Sequence, residues 1–196
     1  MGVDWSASPV RLASDAMREI REDPQLWETA SFYPPFYDDP EPIPEISRRL
    51  TADWPEGLEW RVGFLDRAYN QVEYLLDPVA YRRMEDWARR ERSLSYRIVH
   101  GDNPFAEHAV SGQGFPWRCS SREFLAEAVE VIDRLDVARV RAEYSKVDMS
   151  RLGVYKVSPR GDDGISFDAN LERLRQLGDF YRSVVDSDFD VVVELY

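Results

Sequence analysis

The sequence is poor in the residues that most often build disulfides, metal centres and catalytic sites. It contains one cysteine, Cys119, and two histidines, His100 and His108, among 196 residues. A single cysteine excludes an internal disulfide and fits a reducing compartment, so a cytoplasmic location is expected. Any histidine-based mechanism is restricted to the short segment that holds both histidines.

Long apolar runs and the common nucleotide-binding motifs are also missing. No apolar run approaches the roughly 20 residues that a membrane helix needs, so no membrane association is expected. The charged residues near the start, such as Asp4 and Arg11, are not typical of a secretory signal. There is no Gly-x-Ser-x-Gly turn and no Walker lysine, and Trp117 replaces the third glycine after Gly112-Gln113-Gly114. We therefore expect no cofactor.

Basic residues are outnumbered by acidic ones, 25 against 37, which gives a net charge of −12 at pH 7. Repulsion from phosphates disfavours nucleic-acid binding, whereas a basic protein would be attracted. Solubility is the simpler explanation of the charge. We expect the single basic concentration to be a solvated face paired with carboxylates, with an anion site as the alternative. This concentration comprises Arg82, Arg83, Arg89, Arg90 and Arg92.

The clearest periodicity lies between residues 119 and 157. Ser120 and Glu123 predict a capping box at the start of a helix. The apolar residues that follow recur at spacings of three and four, which indicates a helix with one buried face. They are Phe124, Leu125, Ala128, Val129, Ile132 and Leu135. Asp136 begins a second helix, and a strand is predicted from Val154 to Val157.

This part of the chain resembles the YfbM-like family, a set of bacterial proteins of unknown function. The resemblance rests on the Tyr-x-x-x-Asp-Met segment at 144–149, on Gly153-Val154-Tyr155, and on Phe180-Tyr181 before a valine-rich terminal strand. Lys156 departs from the pattern, because the family usually has proline there. The resemblance implies an α+β fold and supplies no catalytic residues.

The whole pattern predicts a single α+β domain over residues 1–196, with four or five short strands packed against about six helices. Besides 154–157, strands are expected at 1–6, 94–99, 115–119 and 189–196. Besides the helices already described, helices are expected at 9–22, 46–53, 65–76, 78–88 and 171–185. The pattern predicts no particular oligomeric state.

A proline- and aromatic-rich segment, residues 31–45, differs from the rest. Its core, FYPPFYDDPEPIP, holds five prolines and four aromatic residues, so we predict a structured loop. Pro34 to Tyr37 matches the PPxY pattern that WW modules bind. The aromatic residues either pin the loop to the body of the protein or form an exposed surface that binds a partner. The binding candidates are Phe32, Tyr33, Phe36 and Tyr37.

The segment from His100 to His108 is the best candidate for catalysis. With Asp102 and Glu107, the two histidines could bind a divalent metal or supply a general base. Their spacing matches neither a His-Glu-x-x-His helix nor a zinc finger, and the composition between His100 and Phe105 is that of an ordinary turn. We therefore expect no metal.

Two further groups are candidates for chemistry. A thiol before a helix N-terminus has a lowered pKa, which makes Cys119 a candidate nucleophile. No oxyanion motif accompanies it, so a packing role is expected. Asp186, Asp188 and Asp190 imitate the start of a calcium loop, but Val191 stands where the loop needs glycine. No calcium site is predicted.

The sequence is compatible with two functions. The favoured hypothesis is a non-catalytic protein-binding module, of an antitoxin or immunity type, that meets a basic protein through an acidic or aromatic surface. The alternative is a small metal-assisted hydrolase that uses the 100–108 segment. Convergence of His100, Asp102, Glu107 and His108 in one pocket would favour the hydrolase, and their dispersal would favour binding.

Overall fold

A five-stranded antiparallel sheet lies at the centre of the fold. The computed structural model describes residues 2–32, 43–83, 87–107, 109–160 and 162–196, with only the backbone of 31, 32 and 87. The strands are β1 (Trp5–Val10), β2 (Val62–Asp66), β3 (Asn103–Pro104), β4 (Arg118–Ser120) and β5 (Asp190–Leu195). Their order is β2-β1-β5-β4-β3. The predicted terminal strand is confirmed, and it occupies the middle of the sheet.

Eleven helices lie in the described residues. They are α1 (Asp15–Glu22), α2 (Gln25–Phe32), α3 (Glu45–Leu50), α4 (Tyr69–Leu76), α5 (Pro78–Arg83), α6 (Trp87–Glu91), α7 (Leu94–His100), α8 (Arg122–Asp133), α9 (Val137–Glu143), α10 (Lys146–Arg151) and α11 (Asp163–Asp186). The α+β class is confirmed. Helices are more numerous than about six because α2, α7 and α10 form where the pattern predicted no helix. We find no described helix with the length and apolar character of a membrane span.

Alternate residues of the central strands face two hydrophobic cores. Val191 and Val193 of β5 join the larger core, which α4, α7, α8 and α11 cover. Val192 joins a second core with α1, α2 and α3, here named the tryptophan core because it contains Trp27, Trp60 and Trp117. Successive side chains of a strand point to opposite faces, so helices on both sides bury both faces of the sheet.

Residues 94–99 form helix α7, and the predicted strand is wrong. Ser93 caps the helix, since its hydroxyl accepts the N–H of Tyr96 at 3.2 Å. The last carbonyls of a helix lack partners within it. Here the Tyr181 hydroxyl donates to the Ile98 carbonyl at 2.6 Å, and Trp5 Nε1 donates to the Val99 carbonyl at 2.8 Å. Both donors are remote in sequence, so the local alternation could not reveal the helix.

The N-terminal elements begin later than the pattern predicted. The first strand covers Trp5–Val10 instead of 1–6, and it pairs with β5 along its whole length. The first helix therefore starts after Ser14, whose hydroxyl accepts the N–H of Met17 at 3.2 Å. The start of the predicted helix at 65–76 belongs to β2. In each case the strand is favoured because it completes the sheet.

Two local expectations in the 119–157 region are also wrong. The cap of α8 is Ser121, while Ser120 lies in β4 and its hydroxyl accepts the N–H of Asp102 at 3.0 Å. The stretch 154–157 forms no strand, since the backbone of Gly153 and Lys156 has positive φ angles of 72° and 55°. Left-handed residues at such spacing interrupt an extended chain.

Candidate functional site

A cavity of about 160 Å³ lies where α4 and α7 meet strands β4 and β5. We call it the His100 cavity. Phe115, Val193 and Leu195 contribute to its apolar wall. Its polar wall consists of Tyr69, Asn70, Glu91, Tyr96, His100 and Arg118. An apolar pocket with a few convergent polar groups is typical of small-molecule sites.

A buried ionic network lies beside this cavity. Glu73 of α4 is 0% exposed and His100 is 3% exposed. His100 Nε2 lies 3.0 Å from Glu73 Oε2. Arg90 donates from Nε and Nη2 to the two carboxylate oxygens of Glu73, at 2.7 and 2.6 Å. Bidentate arginine–carboxylate pairs of this kind are strong and directional, so the network holds α4, α6 and α7 together.

The network keeps His100 neutral and Glu73 charged. Burial lowers the pKa of His100, although Glu73 opposes the shift. Burial alone would raise the pKa of Glu73, but hydrogen bonds from Arg90 and His100 outweigh it, and the pKa is lowered. A carboxylate accepts, so His100 donates from Nε2 and its Nδ1 is unprotonated. That Nδ1 is buried and has no hydrogen-bond partner among the described residues.

His100 therefore has the orientation of a general base but lacks access to a substrate. A carboxylate that holds one ring nitrogen is the usual support of a catalytic histidine. Here the other nitrogen is shielded from solvent, and two aromatic rings enclose the imidazole. Tyr96 stacks on it at 4.2 Å between centroids, and Tyr69 packs edge-on at 5.6 Å.

The two tyrosines give the cavity neutral donors. Burial raises the pKa of both Tyr69 and Tyr96 to about 12. Both hydroxyls therefore remain protonated at neutral pH. The guanidinium of Arg118 lies over the Tyr96 ring, 5.3 Å from its centroid. The Arg118 guanidinium, the Tyr96 ring and the His100 imidazole thus lie next to one another along the polar wall.

The other predicted catalytic residues do not join His100. Asp102 accepts a hydrogen bond from Arg97 Nε at 2.5 Å and lines a neighbouring open cleft. Glu107 is exposed, and His108 lies outside the described residues. Within the part of the chain that the structure describes, no three His, Cys, Asp or Glu side chains could together hold a metal ion.

Cys119 has the environment of a packing residue. It lies in β4, joins the tryptophan core and is 6% exposed. Its Sγ donates to the Pro104 carbonyl at 3.9 Å. Burial raises the pKa of the thiol, the opposite of what a thiolate nucleophile requires. Neighbouring strand residues point to opposite faces, so Cys119 is directed away from Arg118 and the His100 cavity.

The predicted binding residues cannot be placed on a surface. Phe32 is the last residue of α2, while Tyr33, Phe36 and Tyr37 lie outside the described residues. Their role stays a prediction. Two members of the basic concentration pair with carboxylates, Arg82 with Glu143 and Arg90 with Glu73, both at 2.6 Å. Arg90 is largely buried and not solvated: its side chain is 17% exposed.

Sequence reasoning missed Glu73 and Arg118. Glu73 stands four residues after Tyr69 and three before Leu76, which places a carboxylate on the apolar face of α4. That position was the available signal for a buried ionic network. Arg118 stands between Trp117 and Cys119 of the tryptophan core, and only strand alternation separates it from them.

The overall fold matches one found in a solved structure. It is the crystal structure of YfbM from Escherichia coli, a protein of unknown function. The match covers 98% of this chain and 99% of the YfbM chain. The TM-score is 0.65 and the sequence identity is 12%. This chain has the YfbM fold. No family model matches the sequence, and no curated protein matches it either.

The residues on which the YfbM-like resemblance rests have packing roles in this fold. Tyr144 accepts a hydrogen bond from Asn170 Nδ2 at 2.9 Å and packs edge-on against Phe167. Met149 is 0% exposed, and Asp148 pairs with Arg82 at 2.9 Å. These contacts join α9 and α10 to α11 and α5. The expected YfbM-like architecture is confirmed at the level of the fold.

Proposed function

We propose that the protein is a non-catalytic binding module that meets a basic protein partner through its acidic surface. The observation that carries this proposal is the net charge of −12. Several surface arginines are themselves engaged, as Arg49 is with Glu19 at 2.8 Å and Arg182 is with Asp133 at 3.0 Å. The excess of carboxylates is therefore available to attract a cationic surface.

The separation of the catalytic candidates supports binding over hydrolysis. His100 is held by Glu73 in the polar wall of the His100 cavity, and Asp102 is held by Arg97 at the neighbouring cleft. Glu107 is exposed to solvent. A metal-assisted hydrolase needs such groups within reach of one reacting atom.

An antitoxin- or immunity-type inhibitor is the form of binding module that we favour. Carboxylates would steer the encounter, and buried aromatic anchors would hold the complex, because aromatic residues dominate interface hot spots. From the sequence we assign the anchor role to Phe32, Tyr33, Phe36 and Tyr37.

Capture from host lysate at two salt concentrations tests this proposal. The Debye length falls from roughly 30 Å at 0.01 M salt to about 8 Å at 0.15 M, so long-range attraction should weaken. We expect a basic protein to be captured at low salt and less of it at the higher salt. The Phe36→Ala, Tyr37→Ala variant should capture less at both concentrations.

A matched control removes exposed apolar side chains elsewhere. Ile165 and Val147 are 74% and 62% exposed, so Ile165→Ala, Val147→Ala should capture as the wild type does. The proposal is wrong if no partner is captured at low salt. It is also wrong if capture is indifferent to salt and equal in the wild type and the aromatic variant.

Elemental analysis tests the hydrolase alternative directly. Protein purified without a histidine tag should contain no stoichiometric zinc, manganese or iron, because the described candidates occupy separate environments. One equivalent of metal that disappears in a His100→Ala, His108→Ala variant would reverse the order of the two functions.

A further inference from the structure

Arg118 is a buried cation without an ionic partner among the described residues. It is 8% exposed. Its Nε donates to the Gly101 carbonyl at 2.9 Å, and its Nη2 donates to the Asp102 carbonyl at 3.1 Å. These neutral oxygens orient the guanidinium but carry no compensating charge. Burying a charge without a counter-charge is costly, and a guanidinium has further N–H donors to offer.

Other arginines near the sheet are compensated. Arg90 pairs with Glu73 at 2.6 Å, and Arg97 pairs with Asp102 at 2.5 Å. Both carboxylates are thus already engaged next to Arg118. Arg118 forms no ion pair with a described residue, and its guanidinium lines a cavity that could receive an anion.

The His100 cavity fits a compact ligand with an apolar body. Its volume of about 160 Å³ is close to the roughly 150 Å³ of an apolar cavity that holds benzene. Phe115, Val193 and Leu195 line one part of it. The protonated hydroxyls of Tyr69 and Tyr96 are neutral donors that would complement an anionic oxygen.

We propose that the His100 cavity binds a small monocarboxylic acid with a compact apolar body. The carboxylate pairs with Arg118, and the body packs against the apolar wall. Planar, bidentate carboxylates match the guanidinium fork. Glu91, half-buried on the same wall, favours a single negative charge over a phosphate or a dicarboxylate. This site goes beyond the proposed protein-binding role and is independent of it.

Benzoate is a suitable probe, with benzamide as its neutral match and inorganic phosphate as a plain anion. Backbone amide NMR of the full chain should show saturable shifts at Asn70, Gly101 and Arg118 with benzoate. Affinity for benzoate should exceed that for benzamide by about tenfold or more, as for a charge-assisted pair. No saturable shift, equal affinity for benzamide, or equal shifts with phosphate would overturn the proposal.

Variants locate the interaction. Arg118→Met should weaken benzoate binding by about tenfold or more. Arg97→Met is the control, because Arg97 lines the neighbouring cleft and not the His100 cavity, and its benzoate affinity should be unchanged. Equal benzoate affinity in Arg118→Met and the wild type would contradict the assignment.

A second variant keeps Arg118 in case its replacement prevents folding. Leu195→Phe fills the apolar part of the cavity, so it should weaken benzoate and leave the smaller acetate unaffected. Circular dichroism checks the fold of each variant. If Leu195→Phe binds benzoate as the wild type does, the ligand lies elsewhere and the proposal fails.

Discussion

At the scale of single residues, Glu73 has the largest predicted effect on stability. Glu73→Gln removes a fully buried carboxylate from Arg90 and His100. We expect a loss of about 3–5 kcal/mol in the free energy of unfolding, as when one partner of a buried ion pair is removed. Urea unfolding measures it. Replacing Arg90 by Met in the same variant should recover part of the loss, because it removes the charge that Glu73 no longer balances.

Glu45→Gln is the matched control. Glu45 pairs with Arg48 at 2.6 Å on the surface, with its side chain 68% exposed. Its loss should cost no more than about 1 kcal/mol, since exposed pairs contribute little. Equal costs for Glu73→Gln and Glu45→Gln would show that the buried network does not stabilise the fold.

The burial of Glu194 predicts a contribution to the free energy of unfolding that decreases as the pH rises. Burial raises its pKa from 4.5 to about 7, although Arg61 lies 2.9 Å away. The folded protein therefore holds this proton more tightly than the unfolded chain. The stability it contributes is fully present below pH 4.5 and is lost as the pH rises through 7.

Glu194→Gln should remove that loss. The free energy of unfolding of the variant, relative to wild type, should increase by about 2 kcal/mol between pH 5 and pH 8. Urea unfolding at both pH values measures the difference. Glu172→Gln, which changes an exposed carboxylate on α11, should show no such trend. A constant difference for Glu194→Gln would contradict the raised pKa.

At the scale of elements, Gly101 ends α7 and packs closely against β4. Its φ angle is 98°, and an added Cβ would lie 2.8 Å from Arg118 Cβ and 3.1 Å from the Cys119 nitrogen. Gly101→Ala thus combines left-handed strain with a clash against backbone. We expect a loss of about 2–5 kcal/mol in the free energy of unfolding.

Gly57→Ala separates strain from the clash. Its φ angle is 85°, but an added Cβ would meet nothing within 4 Å. Strain alone should cost about 1–2 kcal/mol. Thermal or urea unfolding of both variants measures the difference. If Gly57→Ala is as destabilising as Gly101→Ala, the close approach of Gly101 to β4 does not contribute to the cost of the Gly101→Ala change.

At the scale of the whole molecule, both cores should unfold together. Val191 and Val193 of β5 pack in the larger core, and Val192 packs in the tryptophan core. If β5 unfolds, apolar side chains of both cores become exposed to solvent. Urea transitions followed by tryptophan fluorescence and by far-UV circular dichroism should therefore coincide.

Met17→Ala provides a check on this coupling. Met17 is fully buried in the tryptophan core, far along the chain from α8 and α11. The variant should shift both transitions equally, by a destabilisation of about 2–5 kcal/mol. A fluorescence transition that precedes the loss of helical signal would show two separately stable parts, against the predicted single domain.

Where local periodicity and burial agree, the sequence alone was sufficient to predict the helix or strand. The apolar repeats of α8 and α11 and the alternation of β5 determine those elements, because each face is specified by residues three, four or two positions apart. Composition alone determined the charge of −12 and the absence of disulfides. These properties do not depend on which elements meet.

Only the tertiary structure decided α7 and the His100 cavity. Helix α7 needs Trp5 and Tyr181 to satisfy its final carbonyls, from 94 and 83 residues away. The pairing of Glu73 with Arg90, and the lack of an ion pair for Arg118 in the described residues, depend equally on how distant helices and strands meet. Local spacing cannot encode such contacts, because a buried charge is stabilised or left uncompensated by groups that folding alone brings beside it.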